Sequence, residues 1–289
     1  MGHGSALLFY QMTLSHDTLF HQTFEQFLQE EMNGELWVKT DEGLYEDHSR
    51  KLAIALRVET NEIVLLQELD FYENRGWQLI QLWQDVWENQ TIIVKSRLKA
   101  LIGISARIPG RLTLVRPLES DFFKEFLKKN HLQDSVKCPY RYGLFLKNMP
   151  QNQAFLNDPA IINDCVAVAG FGPVRLMPGR GDRYYSGELI RFSNVLNHTV
   201  VGGLDKLLKA FLRDHPVQDL MTYADRDWSM GKSYERLGFQ RVETTPPQEF
   251  WLDPKTQTRY NPKRMKEGFS EEFQKVYNSG NYKYLKFLV

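Results

Sequence analysis

Cysteine is scarce in this chain. Cys138 and Cys165 are the two present in 289 residues. One pair cannot staple a small extracellular framework, so the fold has to rest on a packed core. Both thiols are expected free and in the interior, and the expected compartment is cytoplasmic. Long hydrophobic runs are missing too. Nothing approaches the roughly 18 uninterrupted apolar residues of a bilayer-spanning helix, so no membrane association is expected. The N-terminus lacks a basic stretch leading into an apolar core and a small-residue cleavage site, the pattern of a secretory signal. Internal repeats and low-complexity tracts are absent. Net charge is absent as well, because 36 Lys and Arg balance 36 Asp and Glu.

What is present is core material. Hydrophobic residues make up 42% of the chain and aromatics 13%, enough for one large domain or two ordinary ones. The zero net charge hides a polarity. Up to Ser105 there are 8 basic against 16 acidic residues, which leaves 28 against 20 for the remainder. Such polarity fits a nucleic-acid surface, and it fits equally two domains that attract each other.

Residues 1–105 form one domain. Leu19, Phe20, Phe24, Phe27 and Leu28 recur at helical spacing. Glu35–Thr40 and Lys51–Glu59 have strand character, the latter through alternating Leu52, Ile54, Leu56 and Val58. A helix over Glu62–Asn74 stops at Gly76, Trp77–Leu82 is a short buried strand, and Thr91–Ile102 is a second amphipathic helix. Arg107–Arg111, with its Pro-Gly, has the composition of a linker.

The second domain takes residues 106–289. Arg111–Val115 is its first strand. Ser120 is placed to cap a helix over Asp121–Asn130. Strands follow at Tyr142–Leu146, Cys165–Gly170, Glu188–Phe192, Asp219–Ala224, Phe239–Val242 and Glu249–Leu252, with helices over Gly203–Arg213 and Met230–Leu237. A last strand is expected near Tyr282–Leu288. The sum is an α/β chain: a small α/β domain followed by a mixed-sheet α/β domain.

Several constellations carry chemistry. The strand Glu188-Leu-Ile-Arg-Phe192 leads through Thr199-Val-Val-Gly-Gly-Leu204 into an amphipathic helix. A glycine pair at a helix start lets backbone N–H groups approach a phosphate, and the helix dipole favours the anion. The strand at Asp219–Ala224 is followed by Lys232-Ser-Tyr-Glu-Arg-Leu-Gly-Phe239. Asp225, Arg226, Asp227 and Trp228 follow that strand's C-terminal end, where α/β sheets place ligands, although a structural Asp–Arg network is the competing account. Arg175, Arg180, Arg183, Tyr184 and Tyr185 form a loop able to grip phosphates and stack on bases, or simply a solvated loop. The tail interleaves Arg259, Tyr260, Lys263, Arg264, Lys266, Tyr282, Lys283, Tyr284 and Lys286, which suits a phosphate backbone or a closing strand.

From about Arg111 to Asp253 this order of elements, with Tyr234-Glu-Arg-Leu-Gly-Phe239 at its end, resembles the GNAT acyltransferase superfamily. The resemblance implies that Val201, Gly202, Gly203 and Leu204 bind the pyrophosphate of an acyl-CoA. It further implies that Tyr234 protonates the departing CoA thiolate, with His131 and Asp225 at the acceptor side of the site. Thr199 and Leu204 depart from the family's loop, Gln/Arg-x-x-Gly-x-Gly/Ala, at its first and last positions.

A second resemblance runs from about residue 50 to the C-terminus. Gly76-Trp-Gln-Leu-Ile-Gln-Leu-Trp-Gln-Asp-Val-Trp-Glu-Asn and Ile93-Val-Lys-Ser-Arg-Leu-Lys-Ala-Leu-Ile-Gly103 are similar to the Vsr-like, EDxHD-type nuclease domain of free-standing phage homing endonucleases. Asn130-His-Leu-Gln, Tyr223-Ala-Asp-Arg-Asp-Trp-Ser and Gly280-Asn-Tyr-Lys-Tyr belong to the same pattern. Such nucleases hold Mg²⁺ with clustered acids. The acids on offer are Glu59, Glu68, Asp70, Glu73, Asp85 and Glu88. Only Asp85 stands at the expected acidic pair, so the domain is expected to be degenerate.

The resulting expectation is a GNAT-type N-acyltransferase that uses acyl-CoA on an unidentified amine, on a nucleic-acid-associated or other macromolecular acceptor. Arg180, Arg183, Tyr184, Tyr185, Arg226 and Trp228 would contact that acceptor or a nucleic acid. The alternative is a metal-dependent homing-type endonuclease, with Asp85 as the metal ligand, or a DNA- or RNA-binding descendant of one. Mg²⁺ is required only in that case.

Overall fold

The computed structural model describes residues 18–59, 61–133, 136–262 and 272–288. Two compact units are each assembled from separated stretches of chain. The first takes the chain up to Val94 together with Asp225–Met230 and Thr245–Asn281; the second takes Lys95–Ala224, Gly231–Thr244 and Tyr282–Val289. Elements are numbered along the chain.

In the first unit α1 covers 18–31. Its Phe20, Phe24, Phe27 and Leu28 are buried, as their spacing requires. Phe24 meets Trp87 edge-on at 5.5 Å between ring centroids, a geometry aromatic quadrupoles favour. A four-stranded sheet follows in the order β1 (Val38–Lys39), β2 (Tyr45–Asp47), β3 (Leu52–Arg57), β4 (Gln78–Trp83). The expected strand over Glu35–Thr40 shrinks to Val38–Lys39 behind a 3₁₀ turn at Gly34–Leu36, and β2 was not foreseen. β3 and β4 are parallel, so the chain needs a crossover, and α2 (Glu62–Glu73) supplies it. Asn61 caps α2 by accepting the Val64 N–H at 2.9 Å. α3 (Gln84–Leu101) begins earlier than its apolar periodicity suggests and leaves helical geometry at Gln90.

The three-stranded antiparallel sheet of β14 (Glu249–Asp253), β15 (Thr258–Tyr260) and β16 (Gln274–Tyr277) also belongs to this unit. Sequence placed β14 among the last strands of the second domain. Burial overrides that placement, because Leu252 and Val276 share an apolar cluster with Leu65 and Trp83.

The second unit is built on a mixed sheet. Its strands are β6 (Thr113–Pro117), β7 (Tyr140–Leu146), β8 (Cys165–Phe171), β9 (Arg175–Leu176), β10 (Tyr185–Asn194), β12 (Asp219–Asp225), β13 (Gln240–Thr244) and β17 (Asn281–Phe287). They run in the order β13-β17-β12-β10-β8-β7-β6, with β9 on β10. β8 is buried along its whole length, so its continuous apolar sequence marks a central strand. α4 (Ser120–Asn130) and α6 (Gly203–Asp214) pack against the same core, with the single turn α5 (Gln153–Leu156) between them in sequence. α6 inserts Leu207, Leu208 and Phe211, and the Phe211 ring stacks on Phe171 at 4.1 Å. Full burial of such side chains contributes about 1.5–3 kcal/mol each.

The expected linker is instead structured. β5 (Ala106–Pro109) pairs in parallel with β11 (His198–Val201). Ser120 is inside α4; the capping position is Glu119, whose side chain makes no cap bond.

Candidate functional site

The main feature of the second unit is a place where two parallel strands part. β10 and β12 pair from Ser186↔Asp219 to Leu189↔Thr222. Beyond that rung β10 runs on to Asn194 and β12 to Asp225. β10 also shifts register against β8 between Leu189 and Arg191, a bulge that bends the strand away. The Thr222 hydroxyl donates to the Leu189 carbonyl at 2.9 Å and ties off the last rung. Diverging parallel strands open a slot at their C-terminal ends and leave main-chain groups for a ligand.

Tyr234 stands at this rung. It lies on the single turn α7 (Lys232–Arg236), entered through Gly231 at φ 74°. A Cβ on Gly231 would fall 2.3 Å from the Tyr284 ring and hydroxyl, so only glycine permits this approach. The Tyr234 ring packs on Phe239 and Tyr284, and its phenol is hydrogen-bonded to Thr222. Burial pushes the phenol pKa up; Thr222, Arg97 and Arg191 oppose that without cancelling it. Tyr234 is therefore protonated at neutral pH.

His131 reaches the same neighbourhood through two tethers. Asn130 Oδ1 accepts the Leu196 N–H at 2.9 Å, and the Asn130 carbonyl accepts the Ser193 hydroxyl at 2.8 Å. Ser96 of α3 accepts the Asn197 N–H at 2.8 Å. The ends of α3 and α4 are thus both fastened to the 193–197 stretch after the bulge. Burial, with the Arg97 and Arg191 charges, holds the His131 pKa down to about 3. The ring is neutral, and Nδ1 faces both the N–H and the carbonyl of Gln133, at 3.0 and 3.1 Å.

The glycine loop is intact as backbone. Gly202 caps α6 at φ 74°, with open space where a Cβ would stand. A Cβ on Gly203 would press on Val200 and Leu144 at 2.9 and 3.0 Å. Lys206 N–H makes the first recorded bond back into the helix, to Gly202 O at 3.1 Å, so the amides before it form the anion-receptive first turn. Leu204 does not crowd that turn, since it packs against the core. Thr199 is engaged by Ser105 at 2.7 Å and pairs with Arg107 in β5. Val201 is exposed. The nearby acid Asp205 is paired with Lys209 at 2.6 Å.

Other expected residues have structural duties. In the first unit, both Asp85 oxygens accept from Arg259, at 2.6 and 2.7 Å. A carboxylate so saturated is an ion-pair member, which corrects its assignment to a metal. Glu68 is paired with Arg57. Among the described residues no three His, Cys, Asp or Glu side chains gather in a way that could hold a metal ion. Asp225 Oδ1 accepts the Asp227 N–H at 3.0 Å and closes its own loop. Arg226 and Trp228 are buried in that unit, with Arg226 bonded to Gly280, Ser279 and Asp70, so neither presents a surface to an acceptor. Burial, with the Asp225 charge, pushes the Asp227 carboxyl up.

In the second unit, Arg180, Tyr184 and Ser186 converge on buried Asp219. Arg180, still 40% exposed, and half-buried Tyr184 are thereby tied to a buried acid, and Arg183 and Tyr185 are exposed. Among its described residues the tail supplies a strand of the sheet, β17. Tyr282 and Tyr284 are buried, Lys283 pairs with Glu243 at 2.9 Å, and Lys286 donates to Leu237 O at 2.7 Å. Lys263, Arg264 and Lys266 lie outside the described residues. Both cysteines are free and buried, and burial pushes Cys138 up to about 11 and Cys165 up to about 12.

Arg97, Arg191 and Thr222 were not singled out by sequence. Arg191 sits inside the Glu-Leu-Ile-Arg-Phe strand motif, where a charged residue in an otherwise apolar run was the available signal.

No protein-family model matches the chain, and no curated protein matches its sequence. Its structural neighbours are GNAT acetyltransferases. The ribosomal-protein-S18-alanine N-acetyltransferase from Escherichia coli is 9% identical, with a TM-score of 0.35 over 61% of this chain and 93% of that one. Arabidopsis thaliana NAA60 in complex with acetyl-CoA is 10% identical, with a TM-score of 0.38 over 61% and 98%. An acetyltransferase of the GNAT family from Desulfovibrio desulfuricans is 11% identical, with a TM-score of 0.34 over 59% and 97%. The fold is mixed α/β, and no described helix is long and apolar enough to cross a membrane.

Proposed function

We propose that the second unit is an acyl-CoA-dependent N-acyltransferase of GNAT type. The observation that carries the proposal is the parting of β10 and β12 at Leu189↔Thr222, with the protonated Tyr234 phenol on the last rung. The chain between those strands runs through a glycine-opened helix start. The residues fit a diphosphate there: Gly202 leaves open space, the first-turn amides of α6 supply donors, and Leu204 is turned into the core.

An acyl-CoA supplies an activated carbonyl. The acceptor nitrogen bonds to that carbon, the C–S bond breaks, and the sulfur takes the phenol proton of Tyr234. The proton shed by the nitrogen passes to water, and the phenolate is reprotonated from solvent.

Calorimetric titration with acetyl-CoA tests this reading. Binding is expected, and Gly202→Asp, which places a carboxylate at the anion site, should weaken it about tenfold or more. No binding at about 1 mM acetyl-CoA sinks the proposal.

A further inference from the structure

We propose that the first unit binds an oxyanion, a phosphate or a carboxylate, at the C-terminal ends of its parallel strands β3 and β4, through the Gln81 amide and the Trp83 indole N–H. This is a different place from the glycine loop, and it does not depend on the acyltransferase reading.

β3 and β4 stay in parallel register from Leu52↔Gln78 to Arg57↔Trp83, and the carboxyl ends of such strands are where α/β units take ligands. Gln81 and Trp83 are two residues apart on β4. Both side chains therefore stand on one face of the sheet, about 6.7 Å apart along the strand. Arg57 is level with Trp83 on that face, and its Nε donates to Gln81 Oε1 at 2.5 Å. A guanidinium only donates, so this bond fixes the amide with its oxygen engaged and Nε2 as the remaining donor. Gln81 is fully buried and Trp83 is 2% exposed. Among the described residues, neither Gln81 Nε2 nor Trp83 Nε1 has a hydrogen-bond partner. Buried N–H groups are almost always answered. Both of these are donors, so whatever answers them brings acceptor atoms.

The surroundings select the kind of acceptor. Leu65, Leu252 and Val276 share the apolar cluster of Trp83, and hydrogen bonds are stronger in such a setting. Each donor has a guanidinium beside it, Arg57 on Gln81 and Arg259 with its centre 4.9 Å from the Trp83 ring. Glu68 and Asp85 balance these two arginines, so the ion pairs hold the neutral donors in place and the donors do the selecting. Asp227 is tied to the same strand. Its carbonyl accepts the Gln81 N–H at 2.9 Å, and its carboxyl accepts the Ser279 N–H at 2.9 Å. Burial and the Asp225 charge favour the neutral form of that carboxyl, which lessens its repulsion of an anion. Ala55, level with Gln81, has only a methyl group and leaves room beside the amide. A group with two acceptor oxygens can bridge donors so spaced, at about 2.8 Å a bond. Glu68 and Arg259 are partly exposed and give the place its way in.

The test uses the nitrogen-labelled full chain, whose six tryptophans give indole N–H resonances. Loss of one resonance in Trp83→Phe identifies Trp83. The chain is titrated with inorganic phosphate, with acetate, and with chloride at matched ionic strength. The Trp83 resonance should move saturably with phosphate or acetate and stay still with chloride; the anion that saturates at the lower concentration identifies the group. Gln81→Glu keeps an oxygen for Arg57 and puts a second oxygen where the N–H stood, so it should weaken binding about tenfold or more. Thermal unfolding checks the fold, and Gln81→Met serves if Gln81→Glu does not fold. No saturable movement up to about 10 mM of either oxyanion overturns the proposal, as does full affinity in a folded Gln81 variant. An equal response to chloride overturns it too. So does loss of the response in Gly202→Asp, because the anion would then belong to the glycine loop of the second unit.

Discussion

The first unit sets its arginines against carboxylates, whereas the strand opening of the second is built on a neutral phenol and a neutral imidazole. In the first, Arg57 meets Glu68, Arg259 meets Asp85, Arg226 meets Asp70 and Arg50 meets Asp47. Each of these guanidinium groups is answered by a carboxylate from the same unit, and three of the acids that suggested a metal centre, Glu68, Asp70 and Asp85, are engaged in doing so. In the second, Arg97 and Arg191 press on a phenol and an imidazole that are both neutral. Buried charge that is matched inside the fold is architecture; a neutral proton donor at a strand opening can serve chemistry.

The contrast can be broken from either side. The largest effect should come from Arg259→Met, which strands buried Asp85; losing one partner of such a pair costs about 3–5 kcal/mol. Urea unfolding should show the loss, and Asp85→Leu added to Arg259→Met should recover most of it. A single variant as stable as the parent would remove the pair from the architecture.

Tyr234→Phe is expected to lower kcat about 100-fold with little change in KM, the signature of a lost proton donor. A change confined to KM would make Tyr234 a packing residue.

The next effect is on pH. His131 has a folded pKa of about 3, below its ordinary value near 6.5. The stability it contributes is therefore complete above about pH 6.5 and drains as pH falls toward 3, by up to about 2 kcal/mol between 6.5 and 5. His131→Gln should flatten that acid limb in urea titrations at stepped pH, and an unchanged slope would show that other groups set it.

The smallest effect is Gly202→Ala. Its Cβ meets nothing within 4 Å, so only the left-handed backbone is strained, at about 1 kcal/mol. A much larger loss of thermal stability would mean that the loop is packed more tightly than its open surroundings indicate.

Much of the second unit was legible because its signals are local. The periodicity of α6, the apolar run of β8 and the Tyr-Glu-Arg-Leu-Gly-Phe exit each announce themselves within a dozen residues. The composition of the first unit was hidden, because Leu252 and Val276 pack on Leu65 and Trp83. Nothing in a linear pattern reports a partner some 180 residues away. The same limit applies to the site. Tyr234 and the glycine pair were visible as motifs, and His131 as a residue after a helix. Arg97 was given no role of its own within the Ile93–Gly103 run, and only the Ser96–Asn197 bond shows that this stretch of α3 lies against the 193–197 segment. Arg107–Arg111 misled for the opposite reason. Its Pro-Gly is a turn signal, yet Ala106–Pro109 before the turn is held as a strand by β11.

β17, residues 281–287, lies between β13 and β12 in the interior of the second unit's sheet. A chain leaving the ribosome delivers β12 and β13 first and leaves a gap one strand wide between them. Until that gap is filled, each presents an open edge, the hazard through which sheets recruit stray strands. Most of the second unit is thus synthesised well before it can close, and a nascent chain halted before Asn281 should remain protease-sensitive across β12 and β13, however complete its other strands are.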